Sequence, residues 1–578
     1  MRLIELTSTR SSFKTVRFNR KGLSLIVGRH TKKQSKNIQS TYNGVGKSLL
    51  IALIHFCLGA SKNKHLENHL ADWDFTLAFE LAGKKHRVTR TVGSDRILVN
   101  GDELKLIPYK VFLNQLGAFE IPSEPHGLSF RSLISFFIRP NRSSYNAPDT
   151  AVIQWTPYYR VLYQSFLLGL DYERAIRKHD DKKTLDQQVE FSDRYKKDKE
   201  LREFYVGEKN AEVELASLRE KIIALERNLA AFTVAKDYGD RQAAADDLHV
   251  KILEARNEEA ILSSRLTDLE LAMLLRPDVP PDKVVRLYEE AEVSLPEAVT
   301  KRLSQVEKFH ERLYENRVRR LEVEKKQVLA EQRTWRDKRL TAQSELDSLL
   351  KYLKAHRALD EYTENNRYLA ELTAKARKIE DYLALLTKYT EEAQRIRAEM
   401  GKATVQTSEY IKRTKPHLDL LMDTFRGFAR EFYGDKPAGL VVRNNDGDNQ
   451  VRYDIEARIE HDAADGINQV RIFCFDLLLL NLQQRHKVDL VFHDSRLFSD
   501  MDWHQRLTLF RLADRVCKAH GFQYIATINE DHIESLRDAA GADFQKLFET
   551  PRILELTDEP DGSGKLLGVQ IEMKYEED

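Results

Sequence analysis

The chain has 578 residues, which is more than one compact core usually accommodates and leaves room for two or three folding units. Its 92 lysines and arginines balance 91 aspartates and glutamates, so the net charge indicates no class of partner. The charged fraction of 32% is high and is typical of long solvated helices. The three cysteines show no CxxC spacing, which disfavours zinc or disulfide chemistry and favours a reducing cytoplasm.

The sequence carries no signal for a membrane or for export. No stretch approaches the roughly 18 consecutive apolar residues of a membrane span. The first residues, MRLIELTSTR, lack the apolar core of a signal peptide. We therefore expect a cytoplasmic protein with no membrane partner.

The first segment, residues 1–190, alternates short strand-like runs with apolar helices. The predicted strands are Leu3–Leu6, Leu23–Val27, Phe75–Leu81 and His86–Val92, with a hairpin turn at Asn100-Gly101. The predicted helices are Ser48–Leu58, Phe130–Ile138 and Tyr158–Leu168. This pattern predicts an α/β lobe.

The middle of the chain changes to a charged, glycine-poor composition with a repeating apolar seam. Apolar residues recur at steps of three and four within residues 215–229, 248–273 and 369–386, a pattern that is typical of a coiled coil. Prolines 277, 280 and 281 cannot continue a helix and lie between these blocks. We predict an ascending arm over 191–276, a turn over 277–297 and a descending arm over 298–412. A compact helical bundle stays open as the alternative.

From residue 413 to residue 578 the α/β character returns. The predicted helices are Leu418–Phe432, Val470–Leu482 and Trp503–Ala519. The predicted strands are Leu440–Arg443, Arg452–Ile459, Val488–Phe492 and Phe522–Ile528, followed by a closing hairpin of Arg552–Leu556 with Leu566–Met573. These elements predict a second α/β lobe.

The strongest chemical signal is the sequence NGVGKS, which follows an apolar strand and opens an apolar helix, as a phosphate-binding loop requires. Its backbone N–H groups and the helix start would hold phosphates. Lys47 would reach the β- and γ-phosphates, and Ser48 would bind Mg²⁺. The predicted nucleotide contacts are Gly28, Asn43, Gly44, Val45, Gly46, Lys47, Ser48 and Leu49.

The loop departs from the usual form at its start. Gly28 ends the strand, but residues 29–42 intervene before the glycine-rich stretch and carry four basic residues and no acid. This insert is either a basic flap near nucleotide or DNA, or a surface loop without a binding role. Residues 1–65 hold thirteen lysines and arginines and a single acid, Glu5, which favours contact with a DNA backbone.

The second signal is the apolar strand Val488–Phe492, which runs into His493 and Asp494. A carboxylate at the end of a buried strand is typical of the aspartate that holds Mg²⁺ directly or through water. Asp494 and Lys47 lie on opposite sides of the predicted coiled coil, so the two halves of the nucleotide site are separated in sequence.

With these motifs in place, FNRKGLSLIVG, NGVGKSLL and VDLVFHDS resemble the SMC, RecN and Rad-type coiled-coil ABC ATPases. The segments LYEEAEVSLPEAVTKRLSQVEKFHERL and GINQVRIFCFDLLLLNLQQRHKVDLVFHDSRLF are similar to the ATPases of ABC-three-component conflict systems, relatives of the Lamassu-type antiphage ATPases. The resemblance extends over the whole layout, but only two motifs in it are specific. They are the glycine-rich NGVGKS, which corresponds to Walker A, and the apolar strand that runs into Asp494, which corresponds to Walker B. It implies an α/β P-loop ABC-type head assembled from N- and C-terminal lobes, with an inserted antiparallel coiled-coil hairpin.

The resemblance also implies that ATP and Mg²⁺ lie between two heads, with the signature loop of one closing on the γ-phosphate of the other. The matching place is 464–468, where Gly466 and Asn468 would contact the nucleotide. A plain helix start capped by Asp465 explains the same residues.

The catalytic residues of the family are matched unevenly. Ser495 stands where a glutamate base is usual, and serine cannot act as a base unaided. The substitutes nearby in sequence are His493, Asp500 and Asp502, of which Asp502 also fits the D-loop. Asn529 stands near the place of the switch histidine, and the candidates for the Q-loop are Gln115 and Gln154. ATP binding is therefore expected, whereas hydrolysis stays open.

The first functional hypothesis is an ATP-gated subunit that senses or clamps double-stranded DNA, at ends or unusual structures, in bacterial antiphage or antiplasmid defence. Its heads would form a homodimer around ATP. Accessory and effector subunits of the same operon would be its partners, because the sequence shows no nuclease constellation. The alternatives are a RecN-type ATPase of DNA repair or chromosome maintenance and a non-hydrolysing, ATP-bound scaffold.

Overall fold

The computed structural model of the chain describes residues 1–30, 44–61, 64–151, 156–197, 210–230, 239–274, 298–353, 358–460, 465–559 and 561–571. The chain divides into two compact units. Unit 1 comprises Met1–Lys182, Pro281–Gln305 and Met400–Asp578, and unit 2 comprises Lys183–Pro280 and Val306–Glu399. Asn43, Gln154, most of the basic insert and the predicted turn at 277–297 lie outside the described residues.

One sheet of unit 1 is antiparallel and six-stranded, in the order β2-β1-β4-β5-β6-β7. Its strands are β1 (Arg2–Ser8), β2 (Val16–Arg17), β4 (Asp74–Leu81), β5 (Lys84–Thr91), β6 (Ile97–Val99) and β7 (Asp102–Leu104). Asn100 and Gly101 join β6 to β7 with φ of 54° and 102°. Because a two-residue hairpin turn of type I′ needs positive φ at both positions, the predicted turn is confirmed.

A parallel four-stranded sheet brings the two ends of the chain together, in the order β10-β11-β3-β12. Its strands are β3 (Gly22–Arg29), β10 (Leu490–His493), β11 (Gln523–Asn529) and β12 (Arg552–Thr557). β3 is buried from Gly22 to Gly28, which is why it reads as a continuous apolar run. The predicted closing hairpin is wrong, because β12 pairs in parallel with β3 and residues 561–571 form turns.

Helices and a small hairpin surround these sheets. The N-terminal helices are α1 (Lys47–Cys57), α2 (Lys64–Leu70), α3 (Leu106–Gln115), α4 (Phe130–Ile134), α5 (Pro157–Leu167) and α6 (Glu173–Lys197). The C-terminal helices are α11 (Lys415–Tyr433), α12 (Asp465–Leu482), α13 (Trp503–His520), α14 (Glu530–Glu534) and α15 (Arg537–Ala540). β8 (Ala438–Asn444) pairs antiparallel with β9 (Tyr453–Ile459). Short 3-10 turns occupy Arg142–Tyr145, Ser495–Phe498 and Gly541–Asp543, and a π turn occupies Gln545–Glu549.

Unit 2 is built from the predicted coiled-coil arms, which contain α7 (Ala211–Ala230), α8 (Gly239–Leu274), α9 (Ala298–Leu353) and α10 (Ala358–Arg413). The seam of α8 packs on α9: Ala245 and Ile252 meet Ala342 and Leu346, and further along α8 Leu262 and Leu269 meet Val328. Partner numbers fall as α8 advances, so the two helices are antiparallel, as a hairpin requires.

The ascending arm, as far as the end of α7, also packs antiparallel to α10. Phe191 of α6 stacks on Tyr389, and Arg219 of α7 pairs with Glu380 at 2.6 Å. On α8 the direction reverses, since Asp246 accepts a hydrogen bond from Tyr362 and Glu258 lies 3.6 Å from Arg377. α8 therefore runs parallel to α10. The hairpin pairs are thus folded back beside each other within unit 2 instead of forming one straight arm.

Among the described residues, no helix combines the length and the apolar character that crossing a membrane would need.

Candidate functional site

The glycine-rich stretch Gly44–Ser48, which the sequence predicts to bind phosphate, forms a tight loop at the start of α1. Gly44 and Gly46 have φ of 78° and 104°, which L side chains rarely adopt. Gly46 is the N-cap of α1 and, as a glycine, supplies no side chain to cap the first turn of this helix. The first N–H groups of a helix have no acceptor within the helix, so a helix start of this kind can face an anion. Ser48 is half-buried on the first turn, and Leu49 faces the core.

Lys47 lies against the strand that precedes the loop. It is only 7% exposed, and a Cβ at Gly28 would lie 2.9 Å from the lysine Nζ. Glycine at position 28 thus gives the ammonium group its place over the end of β3. Burial lowers the pKa of Lys47 to about 8, while the charges of Asp494 and Asp531 act in the opposite direction.

Asp494 follows β10 and is 2% exposed. One carboxylate oxygen, Oδ1, accepts hydrogen bonds from the Ser495 hydroxyl and the Arg496 N–H, both at 3.1 Å. The other oxygen, Oδ2, is buried and has no hydrogen-bond partner among the residues that the structure describes. A buried carboxylate oxygen without a donor is costly unless a cation or water is bound, so it fits a Mg²⁺ ligand.

The parallel register brings the ends of three strands to one edge. Asn529 of β11 is the partner of Gly28 on β3, and His493 of β10 is the partner of Ala526 on β11. The buried Oδ1 of Asn529 also lacks a hydrogen-bond partner among the described residues. Gly28, Lys47, Asp494 and Asn529 are therefore gathered at the carboxyl edge of the sheet, where parallel α/β sheets bind ligands.

Ser495 is the residue at the usual place of a catalytic glutamate. Its hydroxyl donates to Asp494 Oδ1, and its N–H donates to the Thr527 hydroxyl at 2.9 Å. These contacts make Ser495 a support for the carboxylate of Asp494, because its hydroxyl proton is used in the hydrogen bond to that carboxylate.

His493 does not occupy the place that its predicted role as a substitute base requires. The side chain is fully buried, with Nε2 at 2.9 Å from Asp476 Oδ2 and Nδ1 at 3.0 Å from the Tyr524 hydroxyl. Arg139 holds Asp476 through two hydrogen bonds of 2.6 Å. Burial lowers the pKa of His493 against the pull of Asp476, which favours a neutral ring. Both ring nitrogens are used inside the core, so we withdraw His493 as a base.

The predicted signature and D-loop residues form a second cluster. A Cβ at Gly466 would lie 2.7 Å from the carbonyl oxygen of Asp500. Asp502 caps α13, since its Oδ1 accepts from the Gln505 N–H at 2.7 Å, and Asn468 Nδ2 donates to the Asn146 carbonyl at 2.9 Å. Gly466 and the Asp500 backbone thus pack directly against each other at the start of α12.

Charged and titratable side chains connect the cluster around Lys47 with the cluster around Asp502. Two of them, Arg506 and His532, were not predicted from the sequence. Arg506 lies near enough to Asp531 and Asp502 for both carboxylates to raise its pKa against the lowering effect of burial. The pKa of His532 is lowered by burial and by Arg506, with a smaller effect of Lys47. His532 follows β11 by one short helical turn, which is the signal that could have identified it.

The segment that reaches the strand before Asp494 is residues 138–145, whereas Gln154 lies outside the described residues. Ile138 bridges in parallel to Phe492 of β10, so the chain after Ile138 runs past Asp494. Tyr145 at the end of this run accepts a hydrogen bond from the Asp494 N–H at 2.7 Å. Gln115 ends α3 and is exposed. Tyr145, which contacts the Asp494 backbone, and Arg139, which holds the Asp476 partner of His493, are therefore the residues of this segment that sequence reasoning missed.

Comparisons with known proteins give limited matches. A family model described as "Uncharacterised protein conserved in bacteria (DUF2326)" matches residues 428–571. A search of curated proteins found no match. The crystal structure of the Smc head domain with a coiled coil and joint derived from Pyrococcus yayanosii is similar at 13% identity and a TM-score of 0.35, covering 96% of this chain and 94% of that chain. A similarity at this TM-score supports no argument about the site.

Proposed function

We propose that unit 1 is the ATP-binding head of an SMC-like, ABC-type P-loop protein. The observation that carries the proposal is the position of buried Lys47, at one edge of the parallel sheet, close enough to Asp494 for its charge to affect the lysine pKa, while Asp494 Oδ2 has no hydrogen-bond partner among the described residues. A buried cation beside a buried free carboxylate oxygen matches the needs of a triphosphate and its Mg²⁺. The glycine-rich loop at the same edge supports this assignment.

The chain offers a role for each predicted contact. The N–H groups of Gly44–Ser48 would surround the phosphates, and Lys47 would neutralise the β- and γ-phosphate oxygens. Ser48 and Asp494 would hold Mg²⁺ directly or through water, and the ion would supply the charge that stabilises a transferred phosphoryl group. Gly28 would admit the lysine to this position.

We propose a homodimer of heads on the basis of the second cluster. Gly466 lies at the N-terminus of α12 beside Asp500. A helix N-terminus without a bulky side chain can approach a phosphate group on another subunit. We assign Gly466 and Asn468 to this contact with the nucleotide of the second head.

DNA is proposed as the macromolecular ligand on the basis of the basic N-terminal segment and the long helical insertion. Within this segment, Arg17 and Arg20 lie near Glu5 and Glu80 at 3.6 and 3.7 Å, so their charge is partly balanced. The similarity of two segments to conflict-system ATPases favours a defence role with effector and accessory subunits encoded nearby. A repair role of the RecN type would use the same head.

A non-hydrolysing scaffold is the second candidate, and Ser495 is the observation that favours it. Glu530 directly follows β11, but its carboxylate forms an ion pair with Arg29 at 3.3 Å. Asp531 is exposed and close enough to Lys47 to affect its pKa, so Asp531 is the carboxylate best placed to orient a water molecule. If hydrolysis occurs, we expect it to be slow and to depend on Asp531.

ATP turnover measured with and without linear, circular and hairpin DNA tests this proposal. We expect a slow wild-type rate that rises with one form of DNA and falls by at least about tenfold in Lys47→Ala and Asp531→Asn. Asp538→Asn, an exposed aspartate on α15, is the matched control and should keep the wild-type rate. Equal rates for the wild type and Lys47→Ala would leave the scaffold as the remaining function.

A further inference from the structure

The segment that follows β12 lies against the phosphate loop. We call residues 561–571 the C-terminal strap. Leu566 is completely buried and Leu567 is 4% exposed, while Val569 and Ile571 pack against the core of the head. A segment without regular secondary structure rarely buries consecutive leucines unless it is held by specific contacts.

The strap contacts the phosphate loop through backbone and side chain. The N–H of Leu566 donates to the carbonyl of Val45 at 3.0 Å, and its own carbonyl accepts from the Lys14 N–H at 2.9 Å. A Cβ at Gly46 would lie 2.5 Å from the Cβ of Leu566. Gly46 is thus constrained twice, by its positive φ and by the strap that covers it.

Two further contacts hold the strap in place. The N–H of Thr557, at the end of β12, donates to the carbonyl of Gly564 at 2.9 Å. Gly568 has φ of 66°, and a methyl group there would overlap the carbonyl of Ser12. The strap therefore joins β12, the β1–β2 connection and the phosphate loop.

We propose that the C-terminal strap is a positioning element that holds the phosphate loop in its anion-binding conformation. This inference rests on the proposed function. In a phosphate loop the N–H groups face the anion and the carbonyl groups face away from it. The strap binds the carbonyl of Val45 and so leaves the N–H face open, which makes it a support of the nucleotide site and not a cover over it.

Because the strap orders the loop before a nucleotide binds, less conformational entropy is lost on binding. Releasing it frees the backbone around Val45 and Gly46, and ordering roughly one residue again costs about tenfold in affinity. The residue types that make this possible are two glycines: Gly46 provides space for Leu566, and Gly568 provides space for the backbone of Ser12.

Gly568→Ala tests the strap, because the new methyl group displaces it from Ser12. Gly93→Ala is the matched control, since Gly93 also has positive φ but has no atom within 4 Å of an added Cβ. Leu566→Gly is a second variant, which removes the side chain above Gly46 without adding an atom. The readouts are amide hydrogen exchange of peptides covering Gly44–Cys57 without nucleotide, and the affinity for a fluorescent ATP analogue.

We expect faster exchange in the phosphate loop and about tenfold weaker binding for Gly568→Ala and Leu566→Gly, with Gly93→Ala equal to the wild type. Unchanged exchange in the loop, although the strap itself exchanges faster, would overturn the proposal. Tighter binding would overturn it too, because the strap would then act as a cover. If the wild type binds no nucleotide, the proposed function fails, and the exchange result alone decides the role of the strap.

Discussion

At the scale of single residues, the ionisation of Lys47 is the property most directly linked to the proposed ligand. Its pKa is about 8 in the free protein, because burial outweighs the attraction of Asp494 and Asp531. Below pH 8 the ammonium form prevails, and above it the neutral amine. A bound triphosphate would raise this pKa, so binding would take up a proton above pH 8.

The affinity for ATP should therefore fall as pH rises through about 8. Between about pH 7.5 and pH 9.5 we expect a loss of roughly tenfold or more for the wild type. Lys47→Arg keeps its charge over this range, so its affinity, although lower, should stay flat. Titration calorimetry at both pH values gives the comparison. A flat profile for the wild type would show that Lys47 is not the group that meets the phosphates.

His493 shows what residue-level reasoning from the sequence can miss. The apolar run correctly predicts that His493 ends a strand just before Asp494. However, adjacent residues on a strand point to opposite faces of the sheet. His493 consequently faces Asp476 and Tyr524 in the core, whereas Asp494 leaves the strand toward Lys47. Asp476 and Arg139 lie far apart in sequence, so no sequence pattern near His493 indicated the residues that it contacts.

At the scale of helices and strands, the apolar seam of unit 2 was predictable because it repeats along the chain. Leu346 of α9 is 1% exposed within the α8–α9 seam, and Leu340 of the same helix is 50% exposed. Replacing either leucine with alanine changes the helix propensity by the same amount, but only the change at Leu346 removes buried packing. The difference between the two variants therefore measures the packing in the seam.

Leu346→Ala should lower the free energy of unfolding of unit 2 by about 2–4 kcal/mol. Leu340→Ala should change it by no more than about 0.5 kcal/mol, since an exposed site loses little packing. Urea unfolding followed by helical circular dichroism measures both. Equal effects at the two positions would mean that α8 and α9 do not pack through the seam described here.

The fold-back of unit 2 and the pairing of β12 were not predictable from local patterns. The contacts between α8 and α10, such as Glu258 with Arg377, involve polar positions outside the repeating seam. β12 follows β11 along the chain but pairs with β3, and parallel pairing leaves no turn signal in the sequence. A half-polar run near the end of the chain was therefore mistaken for half of a hairpin.

At the scale of the whole molecule, unit 1 is assembled from segments at both ends of the chain. β3 lies between β11 and β12, and the amino group of Met1 contacts Asp489 at 3.1 Å. The glycine-rich motif, the apolar strand before Asp494 and the intervening seam predicted this assembly, because each is a local pattern. The C-terminal strap and Tyr145 join the site only through tertiary contacts, so no local pattern indicated them.

We propose that Lys47 and Asp494 form one site for ATP and Mg²⁺. Equilibrium binding of ATP with Mg²⁺ and with a chelator, for the wild type, Asp494→Asn and the exposed control Asp538→Asn, tests it most directly. We predict that Mg²⁺ strengthens binding at least about tenfold in the wild type and the control and has little effect in Asp494→Asn. Full Mg²⁺ dependence in Asp494→Asn, or no ATP binding by the wild type, would contradict the account.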